Sequence, residues 1–393
     1  MWVFNATNTK IFMKTNNRLS KLFTFAVVLA LAGLAGAHEP ETRSKTKKPL
    51  VQVAILLDTS NSMDGLISQA KSQLWRIVNE FIHARQNGER PEVQVALFEY
   101  GNNYLSAQAG WIRKVSDFTT DLDLISEKLF VLRTNGGEEY CGWVIKDALE
   151  RLEWSSSSRA YKAIFIAGNE PFTQGPVDYV DSCRMARSRG VIVNTIHCGN
   201  EREGVDTMWR DGARLGDGKF LVIDQDRAVA YVEAPQDKEI ARLSSDLNQT
   251  YLAYGNNGRA GLGRQEMQDR NAASVEAAGA VYARALTKAS ANYHNSAWDL
   301  VDAAKEKDFK LDSLKTEELP AAMQALPPTE RKDYIEQKSK ERAALQAKIN
   351  ALNDERTKFV AAKMKGMAAT NTLDSVVIMT VREQAQTREF KFE

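Results

Sequence analysis

The 393-residue sequence lacks the features by which several protein classes are recognised. It has no excess of charge of one sign, since 52 Lys and Arg residues balance 51 Asp and Glu residues. A nucleic-acid-binding protein usually has a basic excess or a basic stripe, so nucleic-acid binding is not expected. After residue 37 the chain also lacks an apolar run of the roughly 20 residues that a membrane-spanning helix requires. What remains is a globular chain long enough for two or three domains.

Histidine is scarce too. The chain has only four such residues, which leaves few candidates for a catalytic base. The patterns G-x-S-x-G, H-E-x-x-H and G-x-x-x-x-G-K, which mark common nucleophile, zinc and phosphate sites, do not occur. His197 and Cys198 adjoin, but neighbouring residues of a strand point to opposite faces, which disfavours a Cys–His nucleophile. We therefore expect that the chain is not an enzyme.

The first 37 residues resemble an export signal. A basic lead precedes the apolar run of residues 22–32, and Ala35-Gly36-Ala37 has the small residues that signal peptidase requires. The run is short for a membrane anchor, which is the alternative. We expect cleavage after residue 37 and a periplasmic or secreted protein, in which the polar residues 38–49 form a linker.

From residue 50 to residue 236, short apolar runs alternate with amphipathic stretches. The runs are rich in β-branched residues and nearly continuous, which is typical of strands buried on both faces. Strands are predicted at 51–57, 93–98, 111–115, 163–167, 191–196 and 220–223, and helices at 66–84, 121–132, 138–152, 177–189 and 206–215. This order predicts an α/β domain with a doubly wound, mostly parallel sheet. Residues 237–393 carry few β-branched runs and are predicted to be mainly helical.

One motif in this domain has the character of a metal site. The first predicted strand ends at Asp58, and Ser60 and Ser62 follow before the first helix, giving D-x-S-x-S. Ligands of doubly wound sheets bind beyond the carboxyl ends of the strands. A carboxylate and two hydroxyls on an extended turn offer the oxygen ligands that Mg²⁺ prefers. The alternative is a turn in which these side chains only cap the helix.

With this motif between a buried strand and an amphipathic helix, residues 50–225 resemble the von Willebrand factor A family. The stretches Val193–Gly199 and Gly218–Ile223 also resemble it. The resemblance implies a metal-ion-dependent adhesion site at Asp58, Ser60 and Ser62, holding Mg²⁺, Mn²⁺ or Ca²⁺. It further implies that the cation bridges to another protein, through an Asp or Glu carboxylate of that partner.

Two other loops complete the site in that family, and both depart from its pattern here. A Thr is expected before the third long helix, where this chain offers Thr134 or, in the more natural alignment, Glu138. Glu138 and Glu139 could equally well serve as acidic residues of that helix's first turn. An Asp is expected after the fourth strand, where Asn169 or Glu170 stands instead.

The three cysteines, Cys141, Cys183 and Cys198, allow at most one pair, with one thiol left over. Cys198 follows the carboxyl end of a predicted strand, and Cys183 lies in the early turns of the helix before it. This placement favours a Cys183–Cys198 disulfide in an oxidising compartment, and three reduced thiols are the alternative.

Two other functions remain open from the sequence. The chain could be a metal-independent scaffold that docks through its helical tail, in which case a chelator would not affect partner binding. It could instead be a hydrolase in which the metal activates water, but such an enzyme needs a general base that the sequence does not identify.

Overall fold

A computed structural model describes residues 48–82, 84–223, 231–274, 279–365 and 373–392, without the side chains of residues 72–74, 364 and 373–376. The predicted export signal and all of the predicted linker except residues 48 and 49 lie outside the described residues. Among the described residues, no helix combines the length and apolarity that crossing a bilayer requires.

The strands of the described residues form two sheets. They are β1 (Leu50–Asp58), β2 (Ala84–Gln86), β3 (Glu92–Tyr100), β4 (Ile112–Thr119), β5 (Tyr161–Gly168), β6 (Ile192–Cys198), β7 (Asp217–Ile223) and β8 (Phe390–Phe392). The main sheet has six strands in the order β4-β3-β1-β5-β6-β7. Only β4 runs antiparallel to its neighbour, and the other pairings in this sheet are parallel. The second sheet pairs β2 with β8. The predicted α/β class with a mostly parallel sheet is confirmed.

Helices cover both faces of this sheet and form most of the region after residue 236. The helices are α1 (Asp64–Asn79), α2 (Leu122–Phe130), α3 (Cys141–Arg151), α4 (Tyr179–Ser188), α5 (Glu201–Asp206), α6 (Trp209–Leu215), α7 (Asp237–Asn248), α8 (Gly255–Ser274), α9 (Gly279–Ala289), α10 (Leu300–Ala303), α11 (Ala321–Gln324), α12 (Pro328–Met364) and α13 (Leu373–Gln386). The mainly helical character predicted for the C-terminal region is confirmed.

Alternation along the central strand creates two separate cores. Val53 and Leu57 of β1 lie in the core beneath α1 and α2, while Ala54 and Leu56 lie in the core beneath α3 and α4. Successive side chains of a strand point to opposite faces, so a nearly continuous apolar run supplies both cores at once. This is why β1 carries almost no polar residue before Asp58.

The C-terminal region has apolar cores of its own. Ile240 of α7, Ala285 of α9 and Ile349 of α12 belong to one cluster, and Leu300 and Met323 belong to a smaller one. The long helix α12 therefore packs along α7 and α9, as expected from an apolar pattern too short for a coiled coil.

The end of the chain returns to the sheet domain. Val377, Val381, Ala385 and Phe390 are buried in the same core as α1, and β8 pairs with β2, about 300 positions earlier in the chain. The core of the sheet thus draws on residues from both sides of the domain boundary predicted at residue 236.

Candidate metal-binding site

The D-x-S-x-S motif lies at the carboxyl end of the central strand. Asp58 is the last residue of β1, which pairs with β3 on one side and β5 on the other. After β1 the chain forms β3 and β4 on one side of this strand, and then β5, β6 and β7 on the other side. Open parallel sheets form their ligand-binding crevices at such a topological switch point.

The Asp58 carboxyl group is fully buried and only partly hydrogen-bonded. Its Oδ1 accepts a hydrogen bond of 2.7 Å from the Ser60 backbone N–H. Its Oδ2 is buried and has no hydrogen-bond partner among the described residues. Burial, with a smaller contribution from the Glu170 charge, raises the pKa of Asp58 to about 7, although hydrogen bonds, chiefly from Ser60, oppose the shift. A buried carboxylate oxygen without a partner is costly, and a cation at this position would remove that cost.

Two hydroxyls and an amide lie beside this carboxyl group. The Oγ atoms of Ser60 and Ser62 are 3.4 Å apart. The Asn169 side chain, which follows β5, donates to Ser62 Oγ at 3.2 Å. Ser60 makes no side-chain capping bond to the short 3-10 turn that precedes α1, so the helix-capping interpretation has no support at this residue. The residues fit the oxygen-rich donor set that a hard divalent cation requires.

Glycines allow neighbouring backbone to approach Asp58. At Gly168, after which Asn169 follows, a Cβ atom would lie 3.0 Å from Asp58 Oδ2 and 2.6 Å from the Tyr100 hydroxyl oxygen. At Gly101, where φ is +80°, a Cβ atom would lie 2.8 Å from Asp58 Oδ1. Only glycine combines a positive φ with the missing Cβ at this second position, so both residues shape the pocket around the carboxylate.

The loop before α3 is tied to the ends of β1 and β3. The Asn135 N–H donates to Thr59 O at 2.9 Å, and the Asn103 N–H donates to Gly136 O at 2.8 Å. Asn102 Nδ2 adds a bond of 2.9 Å to Arg133 O. These bonds hold the loop against the motif and fix which side chains of the loop face Asp58.

The three acidic or hydroxyl side chains of this loop have different surroundings. The Thr134 hydroxyl donates to an Asp64 carboxylate oxygen at the start of α1. Glu138 is exposed, whereas Glu139 is only 5% exposed. A Cβ at Gly101 would lie 2.8 Å from Glu139 Cγ as well as from Asp58 Oδ1. Glu139, which we did not assign to the site from sequence, is therefore the acidic residue that lies beside Asp58.

The Glu139 backbone is hydrogen-bonded, and the pKa of its carboxyl group is raised by its surroundings. Its N–H donates to Gln174 Oε1 at 2.7 Å. Burial raises the pKa of the Glu139 carboxyl group to about 8, with further contributions from the charges of Asp58 and Glu170. The charge of Asp58 therefore disfavours ionisation of Glu139, and a bound cation would have the opposite effect.

Of the remaining predicted site residues, the structure brings Asn169 into contact with the motif and leaves Glu170 as an electrostatic neighbour. The Glu170 backbone oxygen accepts a hydrogen bond from Trp209 Nε1 at 2.9 Å, and its charge acts on Asp58 and Glu139. Among the described residues no group of three or more His, Cys, Asp or Glu side chains could hold a metal. The candidate site therefore depends on its hydroxyl and amide oxygens as well as its carboxylates.

The predicted Cys183–Cys198 disulfide is wrong. All three cysteines are free and buried. Cys183 lies in the core beneath α3 and α4, whereas Cys198 lies in the core on the opposite face of the sheet. From the sequence, Cys183 and Cys198 are both expected near one end of β6. The sequence does not show that the Cys198 side chain points away from α4. Burial raises the pKa of the Cys183 thiol to about 12, which keeps it protonated and unreactive.

The chain was compared with family models, curated proteins and solved structures. The model of the von Willebrand factor type A domain matches residues 52–208. No curated protein matches the chain. Among solved structures, BatB from Bacteroides thetaiotaomicron is 18% identical, with 44% of this chain and 90% of that chain covered and a TM-score of 0.34. An aerotolerance-related membrane protein from Bacteroides fragilis is 19% identical, with 44% and 92% covered and a TM-score of 0.30. The matched model, together with the observed sheet order, identifies residues 52–208 of this chain as a von Willebrand factor type A domain.

Proposed function

We propose that this chain binds another protein through a divalent cation held by Asp58, Ser60, Ser62 and Asn169. Von Willebrand factor A domains are in general interaction modules rather than enzymes, which makes protein binding the expected role of the matched region. The observation that carries the metal-dependent part is the buried Asp58 Oδ2, which has no partner among the described residues, beside two hydroxyls that are 3.4 Å apart.

Each residue has a distinct part in this proposal. Asp58 supplies negative charge in a buried position, where a charge interacts more strongly than it does in water. Ser60, Ser62 and Asn169 supply neutral oxygens, and the Asn169 amide N–H also donates to the Ser62 hydroxyl oxygen at 3.2 Å. When bound, Mg²⁺, Mn²⁺ or Ca²⁺ would supply positive charge and a coordination position open to an oxygen of the partner.

The proposed location follows from residues 1–37, which have the basic lead, apolar run and small residues of an export signal. We infer that the mature protein acts in the periplasm or outside the cell. Edman sequencing of the exported protein is expected to begin at His38. An N-terminus that retains residues 1–37 would contradict this inference.

Isothermal titration of the mature protein with Mg²⁺ and Mn²⁺ tests the metal site. The wild-type protein is expected to release or absorb heat with one site per chain, and Asp58→Ala is expected to give none. Asp58→Asn, which preserves the side-chain shape, serves as a second variant in case the alanine variant unfolds. Equal heats from wild type and Asp58→Asn would reject the metal site, and partner binding that survives chelation would favour a metal-independent scaffold.

A further inference from the structure

We propose that Glu139 is a second carboxylate ligand of this cation site, and that the site consequently accepts a neutral oxygen of the partner rather than a carboxylate. This inference rests on the proposed function and specifies the group that the site recognises. It departs from what the family resemblance implies, namely a partner Asp or Glu that completes the coordination of the cation.

The first support is the position of the two carboxylate side chains. Asp58 Oδ1 and Glu139 Cγ each lie 2.8 Å from the point that a Cβ would occupy at Gly101. They approach Gly101 from two different elements, β1 and the loop before α3. That loop is fixed to β1 by the 2.9 Å bond from the Asn135 N–H to Thr59 O, so the proximity follows from backbone contacts and not from a long, flexible side chain at the surface.

The second support is that neither carboxyl group is paired with a basic residue among those that the structure describes. The Glu139 side chain is 5% exposed, its backbone N–H donates to Gln174 Oε1, and its backbone oxygen accepts from the Cys141 N–H. The Asp58 side chain is fully buried and its Oδ2 lacks a hydrogen-bond partner there. Two buried acidic groups without a basic neighbour are unfavourable in their charged forms unless a cation neutralises them.

The consequence for recognition is a matter of charge. Asp58 and Glu139 together balance the two positive charges of Mg²⁺ or Mn²⁺. A third carboxylate, brought by a partner, would meet a neutralised ion and the nearby negative charge of Glu170, which already acts on both residues. A hydroxyl, amide or water oxygen adds no charge and meets no such repulsion.

The ligand role of Glu139 is tested by titrating Mn²⁺ into wild type, Glu139→Gln and Glu138→Gln. Glu138→Gln removes the same charge one residue away, from an exposed side chain, and is the matched control. We expect Glu139→Gln to weaken Mn²⁺ binding by about tenfold or more and Glu138→Gln to change it by less than about threefold. Equal affinities of the two variants would overturn the ligand role while leaving the proposed function intact. No binding by the wild type would refute the proposed function itself.

The recognition of a neutral oxygen is tested with acetate as a carboxylate probe on the Mn²⁺-loaded proteins. Water-proton relaxation reports whether acetate displaces water from the bound Mn²⁺. We expect acetate to lower the relaxation enhancement of Glu139→Gln but not that of wild type or Glu138→Gln at the same acetate concentration. Displacement by acetate that is as strong in wild type as in Glu139→Gln would overturn the inference.

Discussion

At the scale of single residues, the space around Asp58 depends on glycine. Gly101 has a φ of +80° and lies so close to the carboxylate that a Cβ would stand 2.8 Å from Asp58 Oδ1. Gly88 has the same φ of +80°, but no atom lies within 4 Å of its Cβ position. Substitutions at these two glycines therefore distinguish the cost of an unfavourable backbone conformation from the cost of blocking the pocket.

Replacing these glycines by alanine should have unequal effects. Gly88→Ala is expected to lower the free energy of unfolding by about 1 kcal/mol, because only the positive φ is penalised. Gly101→Ala is expected to cost roughly 1–3 kcal/mol more, because the new methyl group also displaces Asp58 or Glu139. It should weaken Mn²⁺ binding as well. Urea unfolding and metal titration of both variants check this, and equal losses of stability would contradict it.

The residues around Asp58 also show which parts of the site can be predicted from the sequence. Asp58, Ser60 and Ser62 could be predicted, because the position of a motif between a buried strand and a helix follows from local pattern. The choice between Glu138 and Glu139 could not, because loop residues 133–137 have no period and their orientation is set by bonds to Thr59 and Asn103. In the sequence, the only indication of this ligand position is the pair of adjacent acidic residues Glu138 and Glu139. The sequence pattern does not show that Glu139 is the buried one.

At the scale of elements, the sheet domain is completed by the last helix and strand of the chain. Val381 of α13 is fully buried in the core beneath α1, and Gln384 of the same helix bonds the Asn194 side chain of β6 at 2.7 Å. Most strands and helices up to residue 223 were predictable from apolar period, but α5 was not predicted, and neither was β2, whose first residue lies at the end of the predicted helix 66–84. The docking of α13 was not, because it joins residues roughly 190–300 positions apart and leaves no local pattern.

Two substitutions in α13 test whether this helix is part of the core. Val381→Ala is expected to lower the free energy of unfolding by about 2 kcal/mol, because it removes buried methyl groups. Met379 of the same helix is 70% exposed, so Met379→Ala is expected to change it by less than about 0.5 kcal/mol. Both are measured by denaturant unfolding. A Val381→Ala variant as stable as Met379→Ala would mean that α13 does not contribute to the core.

At the scale of the whole molecule, the helical region is joined to the sheet domain by a buried charged network. Arg284 of α9 is 2% exposed and pairs with Asp123 of α2 at 2.5 Å and with Asp269 of α8 at 3.0 Å. Tyr293 donates to the same Asp123, and Asn79 at the end of α1 donates to Ala283 O at 2.8 Å. Helix α1, which begins beside the candidate metal site, is therefore packed against both parts of the chain.

The network predicts that the two parts unfold together. Arg284→Met is expected to destabilise the protein by about 3 kcal/mol or more, because it leaves Asp123 buried without its cation. Arg270→Met, at an exposed position of α8, is expected to cost less than about 0.5 kcal/mol. Scanning calorimetry of the wild type should give a single transition that Arg284→Met shifts as a whole. Two separate transitions, of which only one responds to Arg284→Met, would contradict the prediction.

A crystal structure grown with Mn²⁺ shows whether the oxygens around Asp58 hold a divalent cation. Anomalous diffraction locates manganese without relying on the assignment of density to water. We expect one strong anomalous peak within coordination distance of Ser60 Oγ and Ser62 Oγ, on the side of Asp58 that faces Glu139. A well-ordered pocket with both serine hydroxyls turned away and no anomalous peak would contradict it.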